Sequence, residues 1–289
     1  MKKMTGISAG IAMLVFALCT TQCSKKKESS LITASKMVSL KSNATLGNYL
    51  AGKNGQTLYF FSSDANGQNN CPGGCAVTWP AYSVSNLTAG QLDAGLNLTD
   101  FNSISITGGG TQLTYKGWPL YTYSPSGMPE AAGQVSGDGV GGIWFIAKPD
   151  YSVMLANWQL IGGDGNHYKS DYSLGDGNTV FFTDALGRTL YAFKKDSANH
   201  NKFTKPDFSN DPTWPTYDTA ALSVPSILDK TQFSSTNVFG KSQLTYKGWP
   251  LYRFGADSSV RANTKGITFG GIGTVWPVMV MSIAPAPHP

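Results

Sequence analysis

The sequence has few of the residues that most often carry acid–base and metal chemistry. It contains three histidines, and Asp, Glu, Lys and Arg together make up 13% of its 289 residues. After residue 22 it has no His-Glu-x-x-His, no Gly-x-Ser-x-Gly and no complete Gly-x-x-x-x-Gly-Lys-Ser/Thr motif. We therefore expect the protein not to be an enzyme, although a glycosidase pair of carboxylates has no sequence signature by which to exclude it.

Positive charge is present but dispersed. The formal net charge is +5, and the one run of three basic residues is Lys25-Lys26-Lys27. A surface that binds nucleic acid needs basic residues concentrated on one face. The sequence therefore predicts no nucleic-acid partner.

The sequence also lacks an apolar run long enough to cross a bilayer, which takes about 20 residues. The N-terminal run extends only from Ile7 to Leu18 and follows Lys2 and Lys3. A short apolar core behind a basic start is typical of an export signal. We predict a signal peptide over residues 1–22.

Cys23 is the predicted lipidation site. The Thr-Thr-Gln that precedes it matches the bacterial lipoprotein signal imperfectly, since Thr20 replaces the usual Leu and Gln22 is not small. The tract after it is polar and of low complexity, which suits a tether. We predict a lipid on Cys23 and a flexible tether over residues 23–44. An ordinary cleaved signal and a soluble protein are the alternative.

The lipid would make the membrane one partner of the protein. In some bacteria, lipoproteins exported to the cell surface carry an acidic run after the lipidated cysteine, whereas this chain has Lys25-Lys26-Lys27. These lysines also favour anionic lipid head groups. We therefore predict an outer-membrane lipoprotein that faces the periplasm.

The strongest signal in the sequence is a tandem duplication. Gln112–Tyr121 recurs unchanged as Gln243–Tyr252, and six of the seven tryptophans fall into pairs at nearly the same offset. A fixed offset sustained over this distance indicates two copies of one unit. We predict a first repeat over residues 45–156, a second over 157–284 and a Pro-rich tail over 285–289.

Each copy contains a weaker internal repeat, which gives four units with a Tyr-x-Phe/Tyr-x-x-Asp pattern. The motif residues are Tyr59, Phe61 and Asp64; Tyr121 and Tyr123; Tyr191, Phe193 and Asp196; and Tyr252, Phe254 and Asp257. Alternate residues of a strand face opposite sides, so we expect the motif rings in the core and the residue between them in solvent. We expect the Asp, replaced by Ser126 in one unit, to shape a turn; a cation ligand or partner contact is the alternative.

Glycine-rich turns separate the predicted strands. Glycine numbers 33 and aromatic residues make up 12% of the chain, while helical periodicity is almost absent. Short helices are expected only near residues 88–92 and 225–230. The predicted fold is all-β, with four quasi-repeated antiparallel β units in a small propeller or a paired sandwich or barrel.

These motifs resemble a known family. The Tyr-x-Phe-x-x-Asp pattern, the following cysteine pair, Trp-Pro and the Leu-Thr-Tyr-x-Gly-x-Pro-Leu-Tyr block resemble the secreted repeat of unknown function, a family of predicted lipoproteins. The resemblance covers roughly residues 45–150 and 170–281. It implies an envelope location and tandem repeats, and it implies no established activity, catalytic residue or cofactor.

Cys71 and Cys75 are the cysteines left for the folded part. In an oxidising compartment such a close pair forms a disulfide, and the intervening glycines allow the required bend. The alternative is a copper or thiol-redox site, with His200 of the equivalent second-copy loop as a third ligand. Phe203 and Phe208 stand in that loop where the first copy has cysteines, which favours packing.

Three functions follow from these patterns. The first is a non-catalytic binding or interaction module of the envelope, without a cofactor and with an envelope protein as partner. The second is a copper-binding or electron-transfer accessory that uses the cysteine pair. The third is a carbohydrate-binding or carbohydrate-acting protein that uses exposed Trp118, Trp249 or Trp158.

Overall fold

The computed structural model describes Met1 and residues 35–289, and the latter belong to one compact unit. The predicted signal peptide, the predicted lipidation site Cys23 and much of the predicted tether lie outside the described residues. In the part of the chain that is described, no helix has the length and apolar character needed to span a membrane.

Residues 35–289 form short strands joined by tight turns. The strands are β1 Val38–Asn43, β2 Gly47–Gly52, β3 Tyr59–Phe61, β4 Phe101–Ser105, β5 Thr111–Tyr115, β6 Trp118–Pro119, β7 Trp144–Ile146, β8 Val153–Ile161, β9 His167–Tyr168, β10 Asn178–Asp184, β11 Tyr191–Ala192, β12 Phe233–Val238, β13 Lys241–Tyr246 and β14 Trp249–Tyr252. The one α-helix among them is α1, Gly74–Thr78. The 3₁₀ turns are Ser62–Asp64, Ala89–Gln91, Leu98–Asp100, Pro125–Gly127, Val140–Gly142, Lys230–Gln232, Gly255–Asp257 and Lys265–Thr268.

The fold is all-β, as predicted. The strands pair antiparallel in small sheets with the orders β1-β2, β3-β7, β4-β5-β6, β10-β8-β9 and β11-β14-β13-β12. None of these sheets closes into a barrel within residues 35–289. The propeller and sandwich arrangements stay predictions.

The four motif strands pair two by two, one pair in each copy. Tyr59 and Tyr121 lie opposite each other, with N···O distances of 2.9 and 3.0 Å for their two mutual backbone hydrogen bonds. Tyr191 and Tyr252 lie opposite each other in the β11–β14 pair. Each copy therefore has an approximate two-fold axis between its two motif tyrosines.

The second copy begins in a strand that the sequence analysis did not identify. Strand β8 pairs with β10 so that Val153 faces Asp184, as Val38 faces Gly52 in the β1–β2 hairpin. The predicted boundary at residue 156 falls inside β8. The stretch around residues 157–172, interpreted from sequence as a link between the halves, forms the end of β8 and the turn that carries β9.

The predicted short helices are partly present. Residues 88–92 form a 3₁₀ turn, in which the Thr88 backbone N–H donates to the Gln91 side chain at 2.9 Å. The helix predicted at residues 225–230 is wrong, because this segment is a turn and the 3₁₀ helix begins at Lys230. Pro225 has no backbone N–H, and only a few residues separate it from β12.

The hydrophobic core runs through both copies. One cluster contains Leu50 and Phe60 of the first copy together with Phe181 and Trp276 of the second. Because apolar side chains from both copies share this cluster, the two copies form one unit with a common core and not two independent domains.

Arg261 joins the copies by polar contacts. Its Nε donates to the Ala65 carbonyl at 3.1 Å, and its Nη1 donates to the Lys116 and Leu186 carbonyls at 3.1 and 2.7 Å. Its guanidinium lies 4.3 Å from the centre of the Trp118 ring. Burial lowers the pKa of Arg261 to about 10, so the side chain stays charged at neutral pH and holds backbone carbonyls of both copies.

Candidate functional site

The motif tyrosines of the first copy make crossed hydrogen bonds to carboxylates. The Tyr121 hydroxyl donates to Asp64 at 2.6 Å, and Asp64 follows the strand of Tyr59. The Tyr59 hydroxyl donates to Glu130 at 2.7 Å, and Glu130 follows the strand of Tyr121. Each motif strand therefore supplies a phenol to the carboxylate of the other.

The second copy repeats this crossed arrangement. The Tyr252 hydroxyl donates to Asp196 at 2.8 Å, and the Tyr191 hydroxyl donates to Asp257. Asp196 and Asp257 are 1% and 3% exposed, so both carboxyl groups lie in the interior.

Each carboxylate also binds the loop that follows it. The accepted backbone N–H groups belong to Asn70 for Asp64, Ser136 for Glu130, Lys202 for Asp196 and Lys265 for Asp257, at 2.6–2.9 Å. One carboxylate oxygen thus holds the loop and the other holds the tyrosine. The turn predicted for the motif Asp accounts for its bond to the loop. Its bond to a tyrosine was not predicted, because the spacing within one motif does not show which tyrosine of the other motif strand lies nearby.

Glu130 is the site residue that sequence analysis missed. The pattern placed Ser126 at the fourth carboxylate position, but Ser126 is exposed in a turn and Glu130 is 7% exposed. Glu130 stands nine residues after Tyr121, whereas Asp64 stands five after Tyr59. A signal was available: the chain has only two glutamates, and the other is in the predicted tether.

The second aromatic of each motif ends a stack of four rings. Trp79 and Trp144 stack at 3.8 Å between Phe61 and Tyr123, and Trp214 and Trp276 stack at 3.6 Å between Phe193 and Phe254. The tryptophan pairs seen in the sequence are therefore contact pairs. Motif rings are in the core, with Tyr123 the least buried.

The residues between the motif rings do not face solvent as a class. Phe60 and Ala192 are 2% and 0% exposed, so the prediction was wrong for them. Phe60 packs on Trp118 and Tyr151 with ring centres 6.1 and 6.3 Å apart. Both faces of the motif strand are covered there, and strand alternation then does not separate core from solvent.

Burial governs the titration of the motif carboxyl groups. Burial raises the pKa values of Asp64, Asp196 and Asp257 to about 7 against the opposing effect of their hydrogen bonds. Burial and the neighbouring carboxylates raise the pKa values of Tyr121 and Tyr252. The oxygens of these buried carboxyl groups are already used in hydrogen bonds to a tyrosine and a loop. We therefore assign the carboxyl groups a structural role.

Cys71 and Cys75 form the predicted disulfide, with a Cα–Cα distance of 5.2 Å. Cys71 is 2% exposed and packs in the cluster that contains Trp79 and Trp144. In the second copy Phe203 packs on Trp276 with ring centres 4.9 Å apart. An apolar ring thus fills a comparable place against the stacked tryptophans, as expected for a packing role.

The candidate copper ligands do not come together. His200 is exposed, and no group of three His, Cys, Asp or Glu side chains suited to a metal occurs among the described residues. His167 pairs with exposed Asp176 at 2.6 Å.

Two of the three tryptophans suggested for carbohydrate binding are buried, so that expectation was wrong for them. Trp118 and Trp249 are 1% and 3% exposed. Their indole N–H groups donate to the Ala185 and Ala284 carbonyls at 3.0 and 2.8 Å. The second copy covers Trp118, and Ala284 and Ala286, at the start of the C-terminal tail, cover Trp249. Trp158 is half-buried against the core.

An aromatic pair with one exposed ring and one half-buried ring distinguishes the second copy. Phe239 and Gly240 form the two-residue turn between β12 and β13, and Phe239 is 55% exposed. Its ring lies edge-on to Phe208 with centres 6.3 Å apart, and the Lys241 ammonium lies 3.7 Å from the centre of the Phe208 ring. We call Phe208, Phe239 and Lys241 the aromatic tip.

The fold and its motif define a duplicated β-module in which most of the motif residues lie in the interior. The family model of the secreted repeat of unknown function matches residues 103–148 and 235–280, once in each copy. The chain therefore carries two tandem copies of this secreted repeat. The matches are shorter than the predicted resemblance and include the second motif strand of each copy. The family's description agrees with an exported protein. No curated protein and no solved structure matches the chain.

Removing the phenol of Tyr121 should destabilise the protein. Tyr121→Phe leaves the buried Asp64 without one hydrogen bond, and we expect the free energy of unfolding to fall by about 2 kcal/mol. Urea denaturation measures this change. Tyr123→Phe is the matched control, since the other units have Phe at that position, and it should change stability by less than about 0.5 kcal/mol. Equal effects of the two substitutions would contradict the role of the crossed bonds.

Stability should fall as the pH rises from 5 to 8. The folded-state pKa values of Asp64, Asp196 and Asp257 are raised, so their contribution is complete below the unfolded pKa near 4 and is lost as the pH passes about 7. We expect a loss on the order of 3 kcal/mol in urea denaturation for each of these groups that titrates in this range. Asp196→Asn should make the pH dependence shallower. Equal or greater stability at pH 8 would show that these carboxyl groups are ionised throughout.

Proposed function

We propose that this protein is a lipid-anchored, non-catalytic interaction module of the bacterial envelope, and that the aromatic tip of the second copy binds an envelope protein. Support comes from the different roles of interior and surface residues. The family motif is used in crossed hydrogen bonds and ring stacks, and the cysteines are bonded to each other. The residues that remain available for recognition are therefore those at the surface.

The observation that carries this proposal is the backbone of the aromatic tip. Phe239 has φ = +49° and Gly240 has φ = +93°, the pattern of a type I′ turn, in which Asn-Gly is favoured. Phe208 also has a positive φ, +56°. A bulky side chain in the left-handed region is unfavourable by about 1–2 kcal/mol. An exposed Phe239 ring and a half-buried Phe208 ring at such positions are better explained by binding than by folding.

The first copy supports this comparison. It closes the equivalent hairpin with loop 106–110, Ile-Thr-Gly-Gly-Gly, which has no ring. The hairpin therefore does not need an aromatic residue at its tip. Aromatic side chains, Phe among them, are enriched at protein–protein interfaces relative to the rest of the surface.

Phe239→Asn separates binding from folding. Asn-Gly suits the turn, so we expect the free energy of unfolding to rise by about 0.5–1 kcal/mol, while the proposed contact is lost. A photo-crosslinking amino acid at exposed Ser209, beside Phe208, should yield in intact cells one adduct of defined mass. That adduct should disappear in the Phe239→Asn background.

The matched control places the same crosslinker at exposed Thr107, in the equivalent loop of the first copy, where we expect no adduct. An adduct at Ser209 that persists after Phe239→Asn would show that proximity, and not the tip, causes the crosslink. The absence of any adduct at Ser209 would overturn the proposal.

The proposed anchor has its own test. Cys23→Ser should abolish incorporation of radiolabelled palmitate and move the protein from the membrane fraction to the soluble fraction, because acyl chains supply the membrane affinity. The unmutated protein should resist protease added to intact cells if it faces the periplasm. Unlabelled wild-type protein, or its digestion in intact cells, would contradict the anchor or the orientation respectively.

A further inference from the structure

A cavity of about 340 Å³ lies where the two copies meet. The first copy contributes the turn after β1 and the segment that follows β7, and the second copy contributes residues 224–230. Sites for small molecules in proteins range from about 300 to 1,000 Å³ and lie preferentially at such junctions. The cavity is thus large enough for a small ligand, and both copies are needed to form it.

The Lys148 side chain, which lines this cavity, is only 7% exposed. Its ammonium makes no hydrogen bond to any residue between 35 and 289, and the nearest carboxylate, Asp150, is 3.9 Å away and 58% exposed. The ring of Tyr151 lies 5.3 Å from it. A buried ammonium strongly favours a hydrogen-bonded anionic partner, because removal from water is unfavourable for a charge.

The acidic groups nearby already have partners. Asp150 accepts a hydrogen bond from the Ser223 hydroxyl at 3.1 Å, and Asp229 accepts from the backbone and hydroxyl of Thr231 at 2.9 and 2.7 Å. Lys230 lines the cavity as well and adds a second positive charge. Burial lowers the pKa of Lys148, Lys230 adds to this effect, and Asp150 and Asp138 oppose it. Asp229 also lines the cavity, but none of these carboxylates hydrogen-bonds the Lys148 ammonium within residues 35–289. A ligand with one negative group would supply that partner.

The cavity wall also contains apolar residues, beside the polar Thr45, Ser226 and Asp229. Leu46 and Ile146 of the first copy face Val224, Pro225 and Leu228 of the second across the same cavity. One buried ammonium and a second lysine suit a single negative charge, while the aliphatic walls suit a hydrocarbon body.

We propose that the cavity between the copies binds a small carboxylate with an apolar body, and that Lys148 holds its carboxylate with Lys230 beside it. This site is distinct from the aromatic tip, and its occupancy does not depend on the proposed protein partner. It also belongs to one copy only, because the position equivalent to Lys148, at the spacing that relates Trp144 to Trp276, is Val280.

Octanoate and 1-octanol test this proposal, since they share a chain and differ in the anionic head. Calorimetry uses the full chain with Cys23→Ser, which carries no lipid. We expect octanoate to bind one to one and at least 10-fold more tightly than octanol. Lys148→Met keeps the length of the side chain without the charge and should weaken octanoate binding at least 10-fold. Lys195→Met, at an exposed lysine, should leave it unchanged.

A second measurement avoids any loss of folding in the Lys148 variant. Acetic anhydride labels lysines in the otherwise unmutated chain, and mass spectrometry reports the extent at each position. Octanoate should reduce labelling of Lys148 several-fold and leave Lys195 unaffected, while octanol should protect neither. No octanoate binding, equal binding of octanoate and octanol, or unchanged labelling of Lys148 would overturn the proposal.

Discussion

The crossed tyrosine–carboxylate pair is the interaction on which this structure depends. A buried carboxyl group must be hydrogen-bonded, and in each copy the phenol that satisfies it comes from the other motif strand. Each tyrosine bond therefore forms only when the two motif strands of a copy pair. The backbone bonds between Tyr59 and Tyr121 fix the register, and the carboxylates then hold the loops that follow.

The duplication gives identical segments two different neighbours. The decapeptide ending at Tyr121 has its Trp118 covered by Ala185 and Arg261 of the second copy. The same decapeptide in the second copy has its Trp249 covered by the C-terminal tail. The tail thus occupies on the second copy the place that the second copy occupies on the first, which protects both indole rings from solvent.

The copies share an interior and differ at their surfaces. The stacked tryptophans and crossed bonds recur, whereas Lys148 has Val280 as its counterpart and the aromatic tip has a glycine-rich loop. Packing constrains the interior because a buried ring or carboxylate has few substitutes. Surface positions lack that constraint, and this is why recognition is expected at features that belong to one copy only.

Periodicity and residue type were enough to predict the duplication, the all-β class and the burial of most motif rings. Only the tertiary structure revealed that Tyr59 bonds Glu130, because that contact links residues 71 apart in the chain. Strand alternation failed at Phe60 and Ala192, where a neighbouring layer covers the second face. The cavity at Lys148 depends on how the two copies pack against each other, and local sequence patterns do not report that packing.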